Sequence, residues 1–317
     1  MERTKKLISL AGTLLMLASF VFIGVQISQY NIDFSVLASP YVAASLLILA
    51  LIVGSGYLFA AFVFQSLLEA LSGLSLNRGL VVRIYCMSNL YKYIPGGIMY
   101  AIGRNRIAWE TDNLRHSTVA FATILEGALY ALAGLALIAL FAFDHFLFYI
   151  RQLSLSSLVW IGALIVAALC LLLAYALRQP ISRFLKTGID SGFRLRVIPK
   201  LLGGHILILA MQALTFPATL LLLGQSLTPS LTVATIGLFA LSWLAGFLTP
   251  GAPSGLGIRE AMMLMFLGGL VDESVLLTAI VLHRAMGVVG DVFVYGVGLV
   301  YSWQISRECV ADGFRFG

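Results

Sequence analysis

The chain has 317 residues, of which 60% are hydrophobic and only 11% are charged. An average soluble protein carries about 25% charged residues, so this composition excludes a soluble globular enzyme, an intrinsically disordered chain and a nucleic-acid-binding domain. The apolar residues come in long runs rather than in alternation, which predicts an all-α polytopic membrane protein instead of a β-barrel.

Runs of about 20 apolar residues are needed to cross a bilayer as a helix. In chain order, the spans predicted by this criterion are about 7–28, 41–65, 117–143, 155–177, 201–224 and 274–303. The first follows a basic N-terminal segment and is interpreted as a signal anchor.

Two further apolar segments, about 84–103 and 230–271, do not fit a simple span. The first is interrupted by Pro95-Gly96-Gly97 and the second by Pro250-Gly251. Proline removes a backbone donor and glycine destabilises a helix interior, so both segments are predicted to break. We interpret them as re-entrant hairpins, because broken backbone at membrane depth must be satisfied by protein or by a wet cavity.

The distribution of basic residues predicts the topology. Three segments carry basic residues: the N-terminus, 66–83 and 104–116. Basic loops favour the cytoplasmic side, so all three segments are placed there. Segment 84–103, between the last two, must then enter the membrane and return to the same side. The alternative of eight full spans would put the strongly basic segment 178–200 outside. We therefore expect six full spans plus two re-entrant hairpins, with both termini cytoplasmic.

An internal repeat follows from the two breaks. Arg104 stands nine residues after Pro95, and Arg259 stands nine residues after Pro250. The offset of 155 residues places the spans of 1–150 near those of 151–317. With three crossings in each half the repeat is inverted, an arrangement that recurs in transporters with a site at the repeat interface.

The two breaks are the predicted substrate-binding site. Amide donors at half-helix ends favour anionic groups, and cations flank both breaks. The candidate residues are Asn89, Lys92, Pro95, Gly96, Gly97, Arg104, Pro250, Gly251, Gly257, Arg259 and Glu260. The alternative interpretation is a pair of interfacial loops with anchoring cations.

Three charges lie inside predicted spans: Glu126, Arg284 and Asp291. A charge at the bilayer centre costs about 2.5–3.5 kcal/mol on insertion scales, so each is expected to face the bundle interior and to have a partner. One hypothesis is a structural ion pair, for instance between Glu126 and Arg284. The other is that Glu126 or Asp291 binds a proton or cation that drives transport. We favour the structural role for Asp291 and leave both open for Glu126.

The sequence contains no motif of a nucleotide-binding loop, a zinc site or a hydrolase nucleophile. We therefore predict no catalytic residue, no metal site, no cofactor and no nucleic-acid partner, and we do not expect an enzyme.

Two motifs carry a family resemblance. The first is Asn89-Leu90-Tyr91-Lys92-Tyr93-Ile94-Pro95-Gly96-Gly97, ending at Gly103-Arg104. The second is Phe247-Leu248-Thr249-Pro250-Gly251 with Gly255-Leu256-Gly257-Ile258-Arg259-Glu260-Ala261. Both resemble the transmembrane (flippase) region of lysylphosphatidylglycerol synthase and its stand-alone relatives. Glu126 and Arg284 also match charged positions of that family. The chain departs from the family at Gly127, where members often have arginine, and in the insertion Ala252-Pro253-Ser254.

The resemblance implies a lipid translocase of the prokaryotic inner membrane that handles an anionic phospholipid or a lipid-linked sugar. It implies membrane lipids as ligands and a cell-envelope glycosyltransferase as a partner, without synthase activity. The alternative is a non-transporting scaffold for such an enzyme. The lipid, the energy source, the direction of transport and the oligomeric state stay open.

Overall fold

The computed structural model describes residues 38–93, 99–112, 114–142, 195–249 and 252–311. These residues are helical, and apart from one isolated bridge between Gly268 and Val271 they form no β-structure. The predicted spans 7–28 and 155–177 lie outside the described residues, as do Pro95, Gly96, Gly97, Pro250 and Gly251.

The described residues form eight α-helices. They are α1 (Pro40–Ser72), α2 (Arg78–Asn89), α3 (Met99–Asp112), α4 (His116–Phe141), α5 (Ile198–Leu222), α6 (Pro229–Leu248), α7 (Ile258–Leu267) and α8 (Glu273–Ala311). Short 3₁₀ turns follow α2 at Leu90–Tyr93, precede α5 at Leu195–Val197 and lie between α6 and α7 at Pro253–Gly255.

Five of these helices are long and apolar enough to cross a membrane: α1, α4, α5, α6 and the Glu273–Gln304 part of α8. The chain is therefore a multi-pass helical membrane protein. Helices α1, α4, α5 and α8 correspond to the predicted spans 41–65, 117–143, 201–224 and 274–303.

The helix ends follow from local chemistry. Asn77 begins α2, where its side-chain oxygen accepts hydrogen bonds from the backbone N–H groups of Gly79 and Leu80 at 2.8 and 3.4 Å. Thr228 begins α6 and accepts from the N–H of Leu231 at 3.2 Å. Gly73 ends α1 in the left-handed conformation, with φ at 70°.

Both predicted breaks separate packed helices. Helix α2 and its 3₁₀ extension pack against α3, and α6 packs against α7 across a tight turn. That turn places Ser254, Gly255 and Gly257 at positive φ values of 52°, 68° and 82°, and glycine adopts such values without strain. The second segment joins a span-length helix of 20 residues to a helix of 10 residues.

Helices α1 and α5 pack against each other, and α4 and α8 each contact both of them. Helix α8 packs on α1 and α2, while α4 packs on α5 and α6. The α1–α8 crossing is close, because a Cβ on Gly54 would lie 3.2 Å from the carbonyl oxygen of Gly290. Large apolar side chains such as Leu140 (70% exposed) and Ile124 (63% exposed) point outward, as expected for a surface that faces lipid.

Candidate functional site

Asp291 on α8 binds the chain just before the first break. Its carboxylate accepts hydrogen bonds from Asn89 Nδ2 and Lys92 Nζ, both at 2.7 Å, and from the Tyr93 hydroxyl. Asp291 is only 1% exposed, and the Lys92 ammonium also lies 4.4 Å from the Tyr57 ring centroid. Asn89 and Lys92, which the sequence assigns to substrate binding, are thus tied to a carboxylate of the protein itself.

Arg104 on α3 and Glu126 on α4 form a second buried pair. Arg104 Nη1 donates to Glu126 Oε2, and Arg104 Nε donates to Ser88 Oγ at 3.3 Å. The guanidinium lies 4.3 Å from the ring centroids of both Phe64 and Tyr85. Both charges are 3% exposed. Glu126 Oε1 is buried and has no hydrogen-bond donor among the described residues.

The predicted pair between Glu126 and Arg284 is wrong. Glu126 binds Arg104, which belongs to the same half of the chain. Arg284 lies 3.7 Å from Glu260 Oε1 and donates to the carbonyl oxygen of Ser254 at 3.3 and 3.4 Å. The physical reason is proximity: each charge finds its partner on the short helix that packs beside its own span, α3 beside α4 and α7 beside α8.

Arg259 differs from the other three cations. No carboxylate among the described residues lies within salt-bridge distance of it, and its buried Nε has no hydrogen-bond acceptor there. Its guanidinium lies 5.4 Å from the Trp243 ring centroid. The side chain packs against two glycines that also contact each other, since a Cβ on Gly246 would lie 2.5 Å from Arg259 Cγ and one on Gly255 would lie 2.8 Å from Arg259 Nε and 2.9 Å from Gly246 Cα.

These groups surround a cavity of about 440 Å³. Arg104, Glu126, Gly127 and Tyr130 line it from α3 and α4, and residues of α6 and α7 line it from the other half of the chain. Its aromatic lining consists of Tyr57, Tyr85, Tyr100, Tyr130, Trp243 and Phe247. The volume falls within the range of small-molecule sites, about 300–1,000 Å³.

A smaller cavity of about 60 Å³ lies next to the first and shares Lys92, Tyr57 and Arg259 with it. It also contains Glu260, Arg284 and Asp291. Because one water needs about 10–15 Å³ of such space, this cavity is large enough for a few waters.

The structure brings together much of the predicted site. Asn89, Lys92, Arg104, Glu126 and Arg259 line the larger cavity, and Glu260, Arg284 and Asp291 line the smaller one. Gly257 lies in the turn before α7. Sequence reasoning missed the aromatic lining and Gln212, which borders both cavities. The tyrosine and glutamine residues within otherwise apolar spans were the sequence signal that could have identified these lining residues.

Comparisons with protein-family models, with curated proteins and with solved structures each returned no match. The resemblance to the lysylphosphatidylglycerol synthase flippase region therefore depends on the motif residues alone.

Proposed function

We propose that this protein is a lipid translocase of the prokaryotic inner membrane, and that the larger cavity receives the headgroup of an anionic phospholipid or a lipid-linked sugar. The observation that carries this proposal is the cavity of about 440 Å³ inside an apolar helix bundle, with the uncompensated guanidinium of Arg259 on its wall. A cavity with charged groups on its wall, inside a membrane bundle, offers a charged headgroup a path that avoids the hydrocarbon core.

The helix contacts support an internal repeat. Exchanging α1 with α5, α2 with α6, α3 with α7 and α4 with α8 turns every helix pair that packs together into another pair that packs together. The contacts of α8 with α1 and α2, for example, match those of α4 with α5 and α6. Lipid movement then involves one half rocking against the other around the cavity, as in other transporters built from repeats.

The proposed topology has six full spans, two re-entrant hairpins and both termini in the cytoplasm. In this arrangement the basic segments 104–116 and 178–200 face the cytosolic leaflet. Their charge attracts anionic headgroups, because each basic residue near an anionic surface contributes about 1 kcal/mol. The chain needs no catalytic residue for this activity.

The test is a leaflet assay on the purified protein in liposomes, with a fluorescent anionic lipid and dithionite quenching of the outer leaflet. We expect the unmodified protein to expose inner-leaflet lipid to dithionite and Arg259→Ala to slow this exposure about tenfold, since a hydrogen bond to a charged group contributes about 1.5–3 kcal/mol. Arg78→Ala is the matched control, because Arg78 is exposed, lies outside both cavities and belongs to neither of the basic segments 104–116 and 178–200.

The alternative is a scaffold that docks a cell-envelope glycosyltransferase without moving lipid. A scaffold would leave the lipid distribution of the liposomes unchanged, would tolerate Arg259→Ala and would co-purify with the enzyme. That combination of results would contradict the translocase proposal.

A further inference from the structure

We propose that the larger cavity selects a hydroxylated headgroup with a single negative charge, with a phosphodiester on Arg259 and a hydroxyl group on Glu126 Oε1. This inference rests on the proposed function and names the chemical class of lipid that the site takes. The charges, the aromatic rings and the unsatisfied polar atoms around the cavities each support it.

The charges of the described residues that line the two cavities sum to one uncompensated cation. The cations are Lys92, Arg104, Arg259 and Arg284, and the carboxylates are Glu126, Glu260 and Asp291. Three ion pairs use all three carboxylates and leave Arg259. A buried charge without a partner is costly, and one negative charge on the ligand removes that cost. A second negative charge would in turn have no partner.

The aromatic lining does not favour a cationic headgroup, although aromatic rings often bind ammonium ions. Four of the six rings already contact cations of the protein. Arg104 lies over Tyr85 and Tyr100, Lys92 over Tyr57, and Arg259 over Trp243. An incoming ammonium group would compete with these side chains and would be repelled by Arg259.

Two buried polar atoms on residues that line the larger cavity have no partner among the described residues, one on each half of the chain, and a third, Glu260 Oε2, belongs to a residue that lines only the smaller cavity. Arg259 Nε is a donor, and Glu126 Oε1 is an acceptor. Buried polar groups normally have hydrogen-bond partners. A phosphodiester oxygen satisfies the donor, and a hydroxyl group of the same headgroup satisfies the acceptor without adding charge. Glycerol and sugar headgroups offer both groups, whereas a headgroup without hydroxyls offers only the first.

The test is lipid binding measured by native mass spectrometry on the purified protein with four probe lipids. Phosphatidylglycerol has one negative charge and free hydroxyls. Phosphatidylethanol has one negative charge and no free hydroxyl. Phosphatidylethanolamine is zwitterionic, and cardiolipin carries two phosphodiesters. We expect phosphatidylglycerol to bind tightest and phosphatidylethanolamine about tenfold more weakly, because phosphatidylethanolamine keeps the phosphodiester but has an ammonium group that Arg259 repels and no hydroxyl for Glu126 Oε1. Phosphatidylethanol and cardiolipin should lie between these two.

The matched variants are Arg259→Gln and Arg78→Gln, since Arg78 is exposed and lies outside both cavities. Arg259→Gln should lower the preference for phosphatidylglycerol over phosphatidylethanolamine, and Arg78→Gln should retain it. The hydroxyl is tested from the ligand side, because replacing Glu126 would leave the Arg104 charge without its partner.

Equal binding of phosphatidylglycerol and phosphatidylethanolamine, or an unchanged preference in Arg259→Gln, would overturn the inference. Equal binding of phosphatidylglycerol and phosphatidylethanol would overturn the role of Glu126 Oε1. The leaflet assay separates this inference from the proposed function. Selective binding without lipid movement would support the inference and contradict the translocase. Movement of all four lipids at one rate would support the translocase and contradict the inference.

Discussion

At the scale of single residues, Asp291 has the most complete set of partners in the described part of the site. Three side-chain donors from one short stretch, Asn89, Lys92 and Tyr93, converge on its carboxylate. The stretch directly precedes the first break, so Asp291 fixes the end of that broken segment against α8. The carboxylate thus has three donors, one of which is the Lys92 ammonium that compensates its charge.

We predict that Asp291→Ala lowers the free energy of unfolding by about 3 kcal/mol, because it leaves the Lys92 ammonium without its partner. The value lies at the lower end for broken buried pairs, since the Lys92 side chain is 20% exposed. Thermal unfolding of the detergent-purified protein measures the effect. The double variant Lys92→Met with Asp291→Leu should recover most of the loss. A double variant as unstable as Asp291→Ala would contradict this account of the pair.

The sequence correctly indicated that charges inside spans have partners, but it paired Glu126 with Arg284 incorrectly. Helical spacing determines which residues share a face of one helix. It does not determine which neighbouring helix supplies the partner. Arg104 and Glu126 meet because α3 packs beside α4, a contact between helices that no pattern within a single helix contains.

At the scale of helices, the α6–α7 turn positions Arg259. Gly246 on α6 and Gly255 in the turn contact each other and both pack against its side chain, and the left-handed φ of Gly255 turns the chain back toward α6. Any side chain at Gly246 would occupy the space of Arg259 Cγ. The orientation of the guanidinium thus depends on two residues without side chains.

We predict that Gly246→Ala destabilises the protein by about 1–3 kcal/mol, the usual cost of an overpacked site. It should also slow lipid exposure in the leaflet assay, because Arg259 must move. Gly203→Ala is the control, since a Cβ there meets no atom within 4 Å. Unfolding temperature and leaflet exchange are measured on the same preparations. Equal values for the two alanine variants would show that Gly246 does not position Arg259.

Hydropathy located the centres of the described spans but not their ends. Helix α1 was predicted over 41–65, and it continues to Ser72. Its last turns bury Leu67, Leu68 and Leu71 against protein, and Glu69 accepts a hydrogen bond from Leu76 N–H at 3.0 Å. The thickness of the bilayer therefore does not alone determine where a helix ends. Helix α1 continues further because its last turns pack against the loop that follows it.

At the scale of the whole molecule, the account depends on a cavity that both halves of the chain enclose. The sequence indicated this position through the repeated Pro-Gly breaks and the two arginines that follow them, Arg104 and Arg259, which both line the cavity. The aromatic lining could not be predicted in the same way. Tyr57, Tyr130 and Trp243 come from three different helices, and only the assembled bundle brings them together.

The leaflet assay on Gly127→Leu tests the central claim most directly. Gly127 lines the cavity, and a Cβ there would lie 3.4 Å from Phe247 Cζ on the opposite half, so leucine would fill the passage without removing a charge. Gly203→Leu is the control, because Gly203 is exposed. We predict that Gly127→Leu loses lipid translocation while Gly203→Leu retains it, with both variants folded by thermal unfolding. Equal translocation by the two variants would contradict the proposal that lipid headgroups pass through this cavity.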